Sequence, residues 1–252
     1  MTTRTPLIAG NWKMHGSVTS SRQLISALCS GATRDGGPIM LLCPPYPYLH
    51  AASEVLKGET VVLGAQNLAV EPNAGAFTGE VSGLMLRDFG CEYVIIGHSE
   101  RRALYGETDS VVANKFIVAQ AQHLKPVLCI GETLEQREAG QTQAVVRQQI
   151  QKVMDYAGPS AFASAVIAYE PVWAIGTGLT ATPDQAQEVH SLIRNLIGEQ
   201  DAIIASEIQI IYGGSMKSEN AKELLAMDDV DGGLVGGASL DAEEFLAIFR
   251  AA

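Results

Sequence analysis

Ala165-Val166-Ile167-Ala168-Tyr169-Glu170 is a short apolar run that ends on a carboxylate and meets Pro171. A run of this length and composition reads as a strand buried on both faces. Beyond it, Thr182-Pro183-Asp184 sets a capping residue before a proline, and Ala186, Val189, Ile193, Leu196 and Ile197 form one apolar stripe. A helix therefore begins near Pro183 and lays that stripe on the strand layer. Strand, loop and amphipathic helix make one βα unit.

The same unit recurs in both directions along the chain. Strands are predicted to begin near Leu7, Ile39, Val61, Tyr93, Val127, Val166, Ile208 and Leu234, a spacing of about 32 residues. Further helical stripes are Leu24, Ile25, Leu28; Val81, Leu84, Met85; and Ala221, Leu224, Leu225. Eight units in 252 residues predict an α/β fold, a (β/α)8 barrel. No linker, low-complexity block or break in composition divides the chain, so residues 1–252 are expected to form a single domain. An open doubly wound sheet is the alternative, because periodicity does not show whether the first and last strands pair.

Composition narrows the function. Lys and Arg number 17 against 28 Asp and Glu, a formal net charge of −11, which argues against a nucleic-acid partner. At 47% hydrophobic and 18% charged residues the chain has material for a large core. No apolar run approaches the roughly 18 residues of a membrane helix, so no membrane partner is expected. The opening MTTRTPLIAGNWK has no small-residue cleavage site, so no signal peptide is read there. The cysteines at 29, 43, 91 and 129 match no CxxC spacing, and three of them lie in apolar runs. They are expected to be free thiols in a reducing compartment, the cytoplasm. The five histidines form no HExxH pair and no cluster with the cysteines, so no metal site is expected.

In such a barrel the chemistry sits just after the strands. Asn11 and Lys13 follow strand one, His98 follows Tyr93-Val94-Ile95-Ile96-Gly97, and Glu170 ends strand six. Singly, each has an ordinary structural reading. Converging on one barrel end, a carboxylate, an imidazole and a fixed cation make a proton-transfer set. Glycines form a second constellation: Gly213-Gly214-Ser215 after strand seven, Gly232-Gly233 before strand eight, Gly236-Gly237 after it, and Gly176-Thr177-Gly178 in the loop after strand six. They read either as tight turns or as unhindered backbone N–H groups that ring an anion. Both constellations together imply a small phosphorylated substrate whose carbon-bound proton is moved. No GxGxxG follows the first strand, no P-loop appears, and no lysine is placed as a Schiff base by spacing alone, so cofactor-free acid–base chemistry fits best.

Gly10-Asn-Trp-Lys-Met14, Gly97-His-Ser-Glu-Arg101, Ala168-Tyr-Glu-Pro-Val-Trp-Ala-Ile-Gly-Thr-Gly178 and Ile211-Tyr-Gly-Gly-Ser215 resemble, in order and spacing, the signature segments of the triosephosphate isomerase family. The resemblance covers essentially the whole chain. It implies that Glu170 shuttles a proton between the two carbons of dihydroxyacetone phosphate and D-glyceraldehyde 3-phosphate. His98 would be the neutral electrophile, Lys13 the cation beside the enediolate, Asn11 a positioning residue and Glu100 the acid that orients Lys13. Backbone N–H groups of Gly176, Ser215, Gly236 and Gly237 would hold the phosphate, and residues 171–178 would be a closing lid.

A further matching segment, Gln66-Asn67 followed by Gly75-Ala-Phe-Thr-Gly-Glu80, implies a homodimer in which Thr78 steadies the neighbour's site. An exposed Phe77 on a long loop would be odd in a monomer, which points the same way. His15 stands where Asn is common in the family. The rival readings are another phosphate-binding barrel isomerase or aldolase, and a catalytically silent binding barrel. The Glu170 to Gly178 run speaks against the first, and the intact Lys13, His98 and Glu170 set against the second.

Overall fold

The structure, a computed structural model, describes residues 4–32, 36–176 and 180–252. Its eight strands are β1 (Leu7–Asn11), β2 (Ile39–Cys43), β3 (Val62–Ala65), β4 (Tyr93–Ile96), β5 (Lys125–Ile130), β6 (Val166–Tyr169), β7 (Gln209–Tyr212) and β8 (Gly232–Val235). All pair in parallel and in chain order, and β8 returns to β1 with Gly232 opposite Leu7 and Gly233 opposite Ile8. That last pairing closes the (β/α)8 barrel and removes the open-sheet alternative.

Period-two alternation divides the buried side chains between two layers. Leu7, Ala9, Leu41, Ile95, Val127, Ala168 and Ile211 cluster together inside the barrel. Their neighbours Ile8, Leu42, Val94, Leu128, Ile167 and Ile210 face outward and join the helices in a second, larger cluster. The helix Pro183–Gly198 begins where the Thr-Pro pair places it: Thr182 accepts from Gln185 N–H and Gln185 reaches back to the Thr182 N–H, a reciprocal cap. Its stripe Ala186, Val189, Ile193, Leu196 and Ile197 is buried throughout. No helix among the described residues is long and apolar enough to cross a membrane.

Two sequence expectations need correction. Gly232 and Gly233 do not precede β8 but form its first half. Gly232 sits at φ +145°, and a Cβ there would overlap the Leu7 carbonyl oxygen, so this glycine permits the close approach at the barrel seam instead of contributing to an anion ring. The stripe Val81, Leu84, Met85 is also out of phase. Ser82 caps the short helix Gly83–Asp88, which buries Gly83 and Leu86 and leaves Leu84 and Met85 exposed. The chain is also more divided than one helix per strand: two helices, Ser99–Tyr105 and Asp109–Ala121, follow β4, and two, Leu134–Glu138 and Thr142–Ala157, follow β5.

Candidate active site

Asn11, the last residue of β1, is buried at the mouth of the barrel, and its Oδ1 accepts the backbone N–H of Lys13 at 3.1 Å. Lys13 adopts φ +51°, a left-handed conformation unfavourable for a residue with a Cβ. Gln66 Nε2 donates to the Lys13 carbonyl at 2.9 Å and to the Cys43 carbonyl at 2.8 Å, which with Asn11 holds the strained turn in place. The turn sends the lysine back across the mouth, where Nζ lies 2.6 Å from Glu100 Oε1.

His98 follows β4 and opens the helix Ser99–Tyr105, whose Glu100 N–H it accepts on Nδ1 at 3.2 Å. Its Nε2 lies 2.9 Å from Glu170 Oε1. Burial lowers the pKa of this imidazole, but the charge and contact of Glu170, with a smaller pull from Glu100, offset it and the net direction is upward. The bond to Nδ1 works the other way, since a proton there would set donor against donor at the positive end of a helix. A bond to Nδ1 that favours the neutral ring is thus set against an upward pull that lasts only while Glu170 stays alongside.

Glu170 is 2% exposed just beyond β6. Its Oε2 accepts the Ser99 N–H at 2.8 Å, whereas Oε1 has no well-aligned donor despite its closeness to His98. One carboxylate oxygen is thus anchored and the other is left as an available base. Asn11, Lys13, His98 and Glu170 line one cavity of about 230 Å³ together with Gly176, Ser215, Gly236 and Gly237. Glu100 stands outside it and reaches it through Lys13, lining instead an adjoining cleft. Gly237 opens a 3-10 turn, Gly237–Leu240, so its N–H has no partner within that turn and is a donor for an anion.

The triosephosphate isomerase family model matches residues 6–252. The chain belongs to the triosephosphate isomerase family. Among its relatives, the triosephosphate isomerases of Nitrosococcus oceani and Nitrosomonas eutropha are each 54% identical, over 249 and 250 residues, covering 99% of both chains. That of Methylococcus capsulatus is 56% identical over 245 residues, 97% of both chains.

In this member of the triosephosphate isomerase family the segment after Glu170 is bonded to the turn after β7 and to Glu132. Ser215 N–H and Oγ–H both donate to the Ala174 carbonyl, at 3.2 and 2.9 Å. Trp173 Nε1 donates to Glu132 Oε1 at 3.0 Å, and Arg137 lies over the indole at 4.7 Å. Thr177 and Gly178, read from sequence as the far end of the lid, lie outside the described residues.

Glu132 itself is absent from the sequence reading. It is fully buried after β5 and accepts from Tyr169 Oη, Trp173 Nε1 and Arg137 Nη1 at 3.0 to 3.2 Å. A strand-end acid, Ile130-Gly131-Glu132, was the available signal. The Ser99 N–H that anchors Glu170 carries no side-chain signature at all. His15 is exposed in the single chain and lines the adjoining cleft with Met14, Leu104 and Tyr105.

Proposed function

We propose that the chain interconverts dihydroxyacetone phosphate and D-glyceraldehyde 3-phosphate, a step of glycolysis and gluconeogenesis, through an enediolate. Supporting this most directly is the sharing of one cavity by Glu170, His98 and Lys13 with backbone donors at its far end. Glu170 takes the proton from the substrate carbon. The C–H pair becomes the C=C bond, and the carbonyl pair moves onto oxygen, where the His98 Nε2–H and the Lys13 ammonium meet the developing charge. The remaining hydroxyl proton passes to the other oxygen, with His98 as the relay, and Glu170 returns its proton to the neighbouring carbon, which completes the exchange. A proton moves and no net redox change occurs, so no redox carrier enters the scheme.

Asn11 fixes the Lys13 turn and Glu100 orients its ammonium, while Gly176, Ser215, Gly236 and Gly237 bind the phosphate. Closure of the lid over the substrate excludes water, which protects an enediol phosphate from losing its phosphate. A coupled assay with purified protein and D-glyceraldehyde 3-phosphate tests the reading, with Glu170→Gln as its control. The variant is expected to lose at least about 10³ in kcat with a modest change in KM. A kcat within tenfold of the parent would remove Glu170 as the base.

The chain further acts as a homodimer in the cytoplasm. Met14, Leu104 and Tyr105 are exposed around a cleft of about 520 Å³ that adjoins Asn11 and Lys13. Phe77 on the 66–80 loop is also exposed, and it carries Thr78 toward a second copy. Sedimentation at micromolar concentration should give a dimer for the parent and a monomer for Phe77→Asp. A monomeric parent would refute this assembly.

A further inference from the structure

The mouth of the cavity carries a lysine that the chemistry above does not use. Lys217 follows Ser215 by two residues, is exposed, and lines the same cavity as Lys13 and Glu170. Its backbone is tightly held at the start of the helix Ser218–Leu225. The Lys217 N–H donates to Asn220 Oδ1 at 2.8 Å, and its carbonyl accepts from the N–H groups of Asn220 and Ala221 at 3.2 and 2.9 Å. Asn220 Nδ2 also donates to the Ser215 carbonyl at 3.2 Å, so the lysine and Ser215 ride on one hydrogen-bonded turn.

The nearby carboxylates are otherwise engaged. Glu244 accepts both the N–H and the hydroxyl of Ser218 at 2.8 Å, and Glu100 holds Lys13 at 2.6 Å. Glu219, the neighbouring acid on the same helix, is exposed to solvent. Among the described residues Lys217 makes no ion pair.

The charge arithmetic of the mouth then matters. Lys13 is neutralised by Glu100, and Glu170 adds one negative charge, so Lys217 is the cation left unpaired. The chain as a whole carries −11, which repels a phosphate dianion at long range. Salt confines that repulsion to roughly 8–10 Å, and within this distance an exposed ammonium at the mouth offsets the charge of the buried Glu170.

We propose that Lys217 captures the substrate's phosphate at the cavity mouth and delivers it to Ser215, Gly236 and Gly237 before the lid closes. The proposal rests on the isomerase reading. It predicts an effect on encounter and not on chemistry.

The experiment compares Lys217→Gln, Lys217→Glu and Lys217→Arg across ionic strength, with D-glyceraldehyde 3-phosphate and with uncharged D-glyceraldehyde. At low salt the Gln variant should lose about three- to tenfold in kcat/KM for the phosphorylated substrate, the Glu variant more, and Arg should restore it. The gap should close to within about twofold near 0.3 M salt, and the loss on glyceraldehyde should be much smaller. An equal, salt-independent loss on both substrates would make the residue structural and overturn the proposal. An active parent with an unchanged Gln variant at low salt would overturn it alone, whereas an inactive parent would overturn the isomerase reading and the proposal with it.

Discussion

Replacing Gly131 by alanine should displace Glu170, the proposed base, through its backbone. Gly131 follows β5 and is clasped by Gln149, which accepts its N–H at 2.8 Å and donates to its carbonyl at 3.2 Å. An added Cβ would overlap the Glu170 carbonyl oxygen and stand 2.6 Å from the Glu170 carbonyl carbon. Non-bonded carbons approach comfortably only to about 3.5 Å, so the Glu170 backbone must withdraw by at least about 0.9 Å. Nothing flexible stands in the way to absorb that shift. The Glu170 N–H is bonded to the Ile130 carbonyl at 2.7 Å, and the next carbonyl back, that of Tyr169, accepts the Gly213 N–H at 2.7 Å.

Overpacking against anchored backbone costs about 3 kcal/mol or more. Misplacing a reacting group by about 1 Å costs on the order of 10² in rate. Purified Gly131→Ala should therefore unfold at lower urea and, while folded, turn over about a hundredfold more slowly. Gly198→Ala is the comparator, because its Cβ would meet only Ala205 Cβ at 3.5 Å at the end of a helix. That variant should keep the parent rate and gain up to about 1 kcal/mol. A folded Gly131→Ala enzyme with kcat within threefold of the parent would refute the argument that this glycine sets the position of Glu170.

Two further outcomes follow. In a Trp12→Phe background, a saturating phosphate-bearing transition-state mimic should change the fluorescence of Trp173 as it leaves Glu132 and Arg137, and an unchanged spectrum would count against lid closure. His190 is fully buried, donates through Nδ1 to the Asp229 carbonyl at 3.1 Å, and has its pKa pushed down to about 4 by burial. The unfolded chain, with an ordinary histidine pKa near 6.5, binds more protons between these values, so stability falls as pH drops from about 6.5 toward 4. Urea unfolding should show about 2 kcal/mol less stability from this group at pH 5 than at pH 7.5. An identical pH slope in His190→Gln would exclude His190 as its source.

The barrel rhythm was readable because parallel strands buried on both faces leave compact apolar runs bounded by glycine and proline. Strand ends were less readable. β5 starts at Lys125 and not Val127, since Pro126 reads as a boundary yet pairs with Val94 on the neighbouring β4. The inward phase of Gly83–Asp88 rests on a glycine, which adds nothing to a hydrophobic pattern. Lys13, His98 and Glu170 were visible because their side chains are chemically distinctive and each follows a strand. The parts that position them were not, because Gln66 acts through backbone carbonyls, Ser99 through a backbone N–H, and Glu132 through Tyr169 and Trp173 far along the chain. Such partners meet only when the barrel closes.

Several polar groups of the proposed site are engaged by the protein itself in this structure. Glu170 rests on the Ser99 N–H, Lys13 on Glu100, and Ser215 on the Ala174 carbonyl. A buried polar group without a partner costs about 1–3 kcal/mol, so these internal bonds favour the fold. They are also graded in strength. The Ser215 bonds are neutral, and a phosphate oxygen offers the same N–H a charge-assisted bond roughly twice as strong, so the dianion can displace Ala174 and free the lid. The Lys13–Glu100 pair is charged on both sides, and in the proposed reaction Lys13 would meet the enediolate without leaving it, because an ammonium has three donors. Under the proposed function, substrate would therefore exchange the weak internal bonds for stronger ones and retain the strong one, which would couple phosphate binding to release of the lid.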